Sequence, residues 1–170
     1  ALGTLAQYGR DKLTLILPPS WKSFGDWLEQ LIAESTGKEG KGILPVLDEP
    51  SMDVGTYGND RVFVFFDDDH NEWNSRIMEL ATVGHPILKI RIHDAYDLGG
   101  QMFLWEMATA VAAHIMGINP FDQPDVEATK KHTNRMLVEF KKNKAWPKTQ
   151  PSLVVGDCEV YGDISGTTVL

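Results

Sequence analysis

Apolar residues fall along this chain in two alternating styles. Short unbroken runs stand at Leu13-Thr14-Leu15-Ile16-Leu17, at Ile43-Leu44-Pro45-Val46-Leu47, at Arg61-Val62-Phe63-Val64-Phe65-Phe66 and over residues 86–92. Between them lie longer stretches in which apolar positions return every three or four residues. A run without polar alternation suits a strand buried on both faces, whereas the longer spacing lays a stripe along one side of a helix. Helices are predicted over residues 21–35, with Phe24, Trp27, Leu28, Leu31 and Ile32 recurring, and over 72–83, with Trp73, Ile77 and Leu80 on one side. Residues 98–116 form a third, apolar and poor in charge, suited to packing on a sheet or at a subunit interface. Residues 126–143 form a fourth, with Met136, Leu137 and Phe140 among many lysines.

The punctuation agrees with this division. Pro18-Pro19 end the first strand, Ser20 offers an N-cap to the helix that follows, and Pro45 suggests an edge strand or a strand end. The run Gly37-Lys38-Glu39-Gly40-Lys41-Gly42 and residues 48–59 read as loops, and Gly84 closes the second helix. Residues 2–9 read as the tail of a helix stopped by Gly9; with no Met at the start, the chain is expected to be cut from something longer. Strand character returns around residues 153–155 and 159–161. Strands alternating with helices, the strands continuously apolar, predict an α/β fold with a mainly parallel sheet covered on both faces. Ligands of such sheets sit at the carboxyl ends of the strands. That rule singles out the helix carrying Glu34 and the loops after Leu17 and Ile92.

Composition narrows the classes. At 170 residues, one domain over 1–170 is the default, with 147–170 a terminal segment of uncertain role. A formal charge of -8 argues against nucleic acid and means that an anionic ligand needs locally concentrated cations. No stretch is apolar enough to span a membrane, and no signal peptide is visible. One cysteine, Cys158, excludes an internal disulfide and fits a reducing cytoplasm.

Candidate chemistry centres on Gln30-Leu31-Ile32-Ala33-Glu34-Ser35-Thr36-Gly37-Lys38. Gln30 and Glu34 are four residues apart and share a helix face. On pattern alone, the stretch is first a helix C-terminus with a glycine stop and a lysine complementing the dipole. The functional alternative is a carboxylate base that carries a proton between adjacent carbons. Residues 37–42 resemble a phosphate cradle without full P-loop spacing, and Gly99-Gly100-Gln101 before a long helix offers amides to an anion or simply starts the helix. His70, His85, His93, His114 and His132 show no ligand spacing, so no metal is expected. His93 stands at a strand end, where acid–base work competes with a solvated loop role. Asp67-Asp68-Asp69 is read as a solvated strand end ahead of a magnesium site, and no nucleophile elbow supports hydrolysis.

Taken together, Gln30-x-x-x-Glu34-Ser35-x-Gly37-Lys38 and Phe121-Asp122-Gln123-x-x-Val126-Glu127-x-x-Lys130 resemble the two signature segments of glucose-6-phosphate isomerase. The wider runs 27–45 and 105–130 look most like the isomerase half of transaldolase/glucose-6-phosphate isomerase fusion proteins, and the likeness covers about residues 9–130. The resemblance implies the second sugar-isomerase (SIS) domain, a three-layer α/β/α sandwich of flavodoxin-like, doubly wound type, acting on a phosphosugar without cofactor or metal. By that pattern Glu34 is the base shuttling a proton between C1 and C2, and Lys130 contacts the sugar oxygens. Gln30, Gln123, Gly37, Lys38, His93 and Gln101 are the substrate-lining candidates. The family has a histidine after its Gly-Gln pair for ring opening; here Met102 follows Gly100-Gln101, which leaves His93 as the candidate. The implied partners are a preceding SIS domain of the same protein and further copies in a homo-oligomer, with this domain alone inactive. The rival readings are a phosphosugar-binding domain without catalysis and a related mannose or aldose phosphate isomerase.

Overall fold

A central strand buried on both sides organises the first of two units. The computed structural model describes residues 1–68, 73–146 and 149–162. They form compact units Ala1–Asp125 and Val126–Leu170. In the first, strands β1 (Lys12–Ile16), β2 (Leu44–Val46), β3 (Arg61–Asp67) and β4 (Ile87–Arg91) make one parallel sheet in the order β2-β1-β3-β4. The pairing Lys12↔Arg61 through Ile16↔Phe65 sets the central register. Helices α1 (Leu2–Gln7), α2 (Lys22–Thr36), α3 (Asn74–Thr82) and α4 (Asp97–Met116) cover it.

The unbroken apolar runs are explained by where alternate side chains go. Leu13, Leu15, Val62, Val64 and Phe66 enter one core with Phe24, Leu28 and Ile32 of α2 and Trp105, Ala112 and Ala113 of α4. Ile16, Phe63 and Phe65 enter the other with Ile77 and Leu80 of α3 and Tyr57. Both faces of β1 and β3 are therefore dry. β2 is an edge strand, as Pro45 signals, and β4 is the other edge, only half-buried along its length. The chain leaves β1 toward β2 and leaves β3 toward β4, so the topological switch lies between β1 and β3.

α1 and α4 approach closely at Gly3. A Cβ there would lie 2.6 Å from the Ala112 carbonyl oxygen, so this contact requires glycine. α4 is apolar all round: Trp105, Thr109, Ala112, Ala113 and Met116 face inward, while Leu98, Met102, Phe103, Leu104, Met107 and Val111 are exposed. Gly117, in the left-handed region (φ 70°), ends it.

Helix α5 (Pro124–Asn143) runs into the second unit and buries none of its residues, Met136, Leu137 and Val138 included. Phe140 stacks on Trp146 at 4.5 Å between centroids. The C-terminal strands β5 (Leu153–Val155) and β6 (Cys158–Val160) form their own antiparallel hairpin around Gly156 (φ 61°) and add nothing to the parallel sheet. Cys158 is exposed. The readings placed on Asp69, His70 and Glu72 lie outside the described residues. Asp67, the first of the acidic trio, is the buried last residue of β3 and pairs with Lys89 at 2.7 Å.

Candidate functional site

The end of α2 is shaped by three local devices. The Thr36 hydroxyl donates to the Ile32 carbonyl (2.7 Å) and accepts from the Ile43 N–H (2.9 Å), tying the last helical turn to the start of β2. Gly37 donates its N–H to Ala33 (2.8 Å), and a Cβ there would stand 2.7 Å from the same oxygen. The chain then reverses across Glu39 and Gly40, whose φ values of 56° and 70° match a type I′ turn. Lys38 and Lys41 exchange both backbone hydrogen bonds at 3.0–3.1 Å.

Beyond α4, the segment 119–123 returns over this corner. The Asn119 side chain accepts from the Phe121 N–H (3.1 Å) and donates to Asp122 Oδ2 (3.1 Å), a local Asx turn. Gln123 follows, and its Nε2 donates to Glu34 Oε2 at 2.9 Å. Gln30 Nε2 donates to the other oxygen, Oε1, at 3.2 Å. Glu34 thus stands between two neutral amides that fix the plane of its carboxylate without neutralising its charge. With Trp27, Leu31 and Ser35 these three line a shallow, open recess of about 170 Å³. Such a carboxylate can accept a proton from a donor laid across the recess, while the amide oxygens remain free to accept from hydroxyls.

The expected site residues are thereby sorted. Gln30, Glu34 and Gln123, far apart in sequence, meet. Lys38, expected to face substrate, has a side chain only 3% exposed; its Nζ donates to the Asn119 carbonyl (2.7 Å), to the Asp122 carbonyl and to Asp122 Oδ1 (3.0 Å). Lys41 Nζ donates to the Met116 carbonyl (2.9 Å). Both ammonium groups of the glycine-rich loop are therefore engaged by the chain itself. Gly37 lies at the α2 terminus beside Glu34. Lys130 is exposed on α5, in the second unit.

His93 follows β4, exposed, with Nδ1 3.1 Å from Asp97 Oδ2. Its backbone N–H and then its ring hold the Asp97 carboxyl below the usual carboxylate range. Gln101 projects from the first turns of α4 with a buried Oε1 that has no hydrogen-bond partner. Among the described residues no hydrogen bond joins His93 or Gln101 to the Glu34 cluster, and no group of three metal-capable side chains occurs. Asn119 is not among the expected site residues, although Asn-Pro-x-Asp is a turn signal that marks it.

A second cavity, of about 290 Å³, lies after β1, where the strand-end rule also points. Leu17, Pro19, Lys22, Asp48, Glu49 and Tyr57 are among its lining. Three of its charged side chains are paired: Glu49 Oε2 accepts from Arg61 Nη1 (2.7 Å), which also donates to the buried Thr14 hydroxyl (2.8 Å), and Lys22 pairs with Asp48.

Sheet and helices define a three-layer α/β/α domain with a parallel sheet, and an amide-held carboxylate stands at its rim. The sequence relationships are more particular. In sequence the chain is similar to glucose-6-phosphate isomerases. It is 28% identical to that of Enterococcus faecalis over 76% of this chain and 38% of the enzyme. The Clostridium tetani enzyme is 29% identical over 78% and 39%, and that of Acholeplasma laidlawii 30% identical over 78% and 41%. The chain thus spans about two fifths of the length of these relatives. No family model matches it. A crystal structure of a hypothetical protein from Thermus thermophilus shares the fold, with a TM-score of 0.60 at 19% identity, over 79% of this chain and 44% of that one.

Proposed function

We propose that this chain is the base-bearing domain of an enzyme interconverting glucose 6-phosphate and fructose 6-phosphate. The observation that carries the reading is the hydrogen bond from Gln123 to Glu34, 89 residues away, which joins the two motif segments at one carboxylate. Glu34 removes the proton from C2 of the open-chain aldose and returns it to C1 through an enediol(ate), the reverse step running through the same group. Gln30 and Gln123 hold the carboxylate and meet sugar hydroxyls. Lys130 offsets negative charge developing on the sugar oxygens. His93 is the candidate for ring opening, and Gln101 and Gly37 line the substrate.

The recess is open, and Glu34 is exposed. An exposed carboxylate performs such a transfer poorly, because water competes for it and screens its neighbours. The remaining structure therefore comes from elsewhere: a preceding SIS domain that holds the phosphate, and a second copy in a homo-oligomer. The likeness of residues 27–45 and 105–130 to transaldolase fusions supports a parent protein among the cytoplasmic enzymes of sugar-phosphate metabolism. The reading frame flanking this chain tests that directly.

The openness also supports a second reading, a phosphosugar-binding domain without catalysis. Incubating the full-length protein with fructose 6-phosphate in deuterated water separates the two. Deuterium entering at C2 of the recovered glucose 6-phosphate is the expected result; binding without exchange would leave only the second reading.

A further inference from the structure

We infer that Lys38 is a positioning residue: its buried ammonium pins residues 119–122 and thereby seats the Gln123 amide on the Glu34 carboxylate. The inference rests on the reading of Glu34 as the base and adds a residue that acts on it at one remove.

A lysine that is 4% exposed is tolerated in a protein interior only where its charge is matched and its donors are used. Here every acceptor comes from one short segment, 81 and 84 positions further along the chain. That segment has little else to hold it. Ile118 is the last buried residue before it, Phe121 is 87% exposed, and Asp122 and Gln123 are exposed. The Asx turn at Asn119 gives it internal shape but does not attach it to α2. The attachment is Lys38, and Asp122, which supplies two of the three acceptors, is the residue before Gln123.

Lys38 is itself fixed. The turn at 38–41 and the Thr36 hydroxyl lock the backbone on either side of it. The result is a closed circuit that starts at Lys38, two residues past the end of α2, passes through residues 119–123, and returns to α2 at Glu34. Because consecutive Cα atoms are held about 3.8 Å apart, a shift of Asp122 that is not taken up by rotation about the intervening bonds is passed on to Gln123. A hydrogen bond of 2.9 Å does not survive such a shift of about 1 Å. The Lys38 charge, balanced by Asp122, is also withdrawn from any role in gripping phosphate.

The test uses the full-length protein with K38M, Q123A and the double variant, read by amide hydrogen exchange and by steady-state isomerisation. In K38M, exchange in residues 118–124 is expected to rise at least about ten-fold while that in β3 stays as it was. Turnover should fall about ten-fold with KM for the phosphosugar changing less than about two-fold. The double variant should be no worse than the poorer single one, since Lys38 acts through Gln123. Unchanged exchange, losses that multiply in the double variant, or a rise in KM alone would overturn the inference. If K38M does not fold, D122A removes one acceptor from an exposed side chain and should give the same exchange signature on a smaller scale; its absence is equally decisive. Should exchange rise as expected while E34Q turns over normally, the base assignment fails and the Lys38 anchor stands.

Discussion

Two glutamates in the first unit show what a carboxylate's neighbours do to its role. Glu49 lies in the wall of the larger cavity, its side chain 12% exposed, bonded to a guanidinium at 2.7 Å with the Thr14 hydroxyl beside it. Glu34 lies at the rim of the smaller recess between two amides at 2.9 and 3.2 Å. The first is committed to an ion pair that joins the loop after β2 to the start of β3. The second is oriented and left with its charge open to the recess. A pocket whose carboxylate is ion-paired is thus a weaker candidate for proton transfer than a recess whose carboxylate is oriented by neutral amides.

This contrast breaks most sharply under E34Q in the full-length protein. Turnover should drop on the order of 10³-fold, within the range for removing a general base, while the melting temperature holds. Activity near that of the parent would end the assignment of Glu34. For Glu49 the expected loss is in stability instead. E49A leaves Arg61 without its counter-charge and should cost on the order of 3 kcal/mol in denaturant titration, with turnover within about two-fold. If E49A instead abolished turnover in a folded protein, the two carboxylates would have to exchange roles.

Q123A sharpens the comparison by removing one orienting amide. A loss of about ten-fold in turnover is expected, with little effect on stability, because the side chain is exposed. The smallest effect is on the pH dependence of stability. His85 is buried against Phe63 and Tyr57, and burial lowers its pKa below 6.5. The unfolded chain therefore takes up that proton first. Stability is complete above about pH 6.5 and falls as pH drops through the lowered value. H85F should flatten that part of a denaturation series as pH falls below about 6.5, without altering the response to E34Q or E49A. A slope that persists in H85F would place its origin elsewhere.

Much of this fold is legible in the residues, because burial on both faces leaves an unmistakable mark. No residue in 62–66 is polar, and Pro45 announces the sheet edge it occupies. The three parts of the Glu34 cluster were legible only through the resemblance of two motifs; helical spacing predicts Gln30 beside Glu34 but says nothing about Gln123. Lys38 shows why. A lysine in a glycine-rich loop reads as a free cation, and only the return of residues 119–122 over the same corner makes it an interior anchor. The C-terminal strands were visible as strands but not as a separate hairpin, since three-residue runs carry no information about their partners.

The outer side of α4 has a consequence for the 170-residue chain in solution. Phe103, Leu104, Met107 and Val111 present an adhesive apolar strip, while a net charge of -8 holds molecules apart. The first force is nearly indifferent to dilute electrolyte; the second is screened by it, with a range of about 30 Å at 0.01 M ionic strength and about 8 Å at 0.15 M. Colloidal behaviour should accordingly turn on ionic strength. The chain should stay dispersed in low-salt buffer, and light scattering should rise as sodium chloride is added, the opposite of the salting-in expected of a patch-free acidic protein.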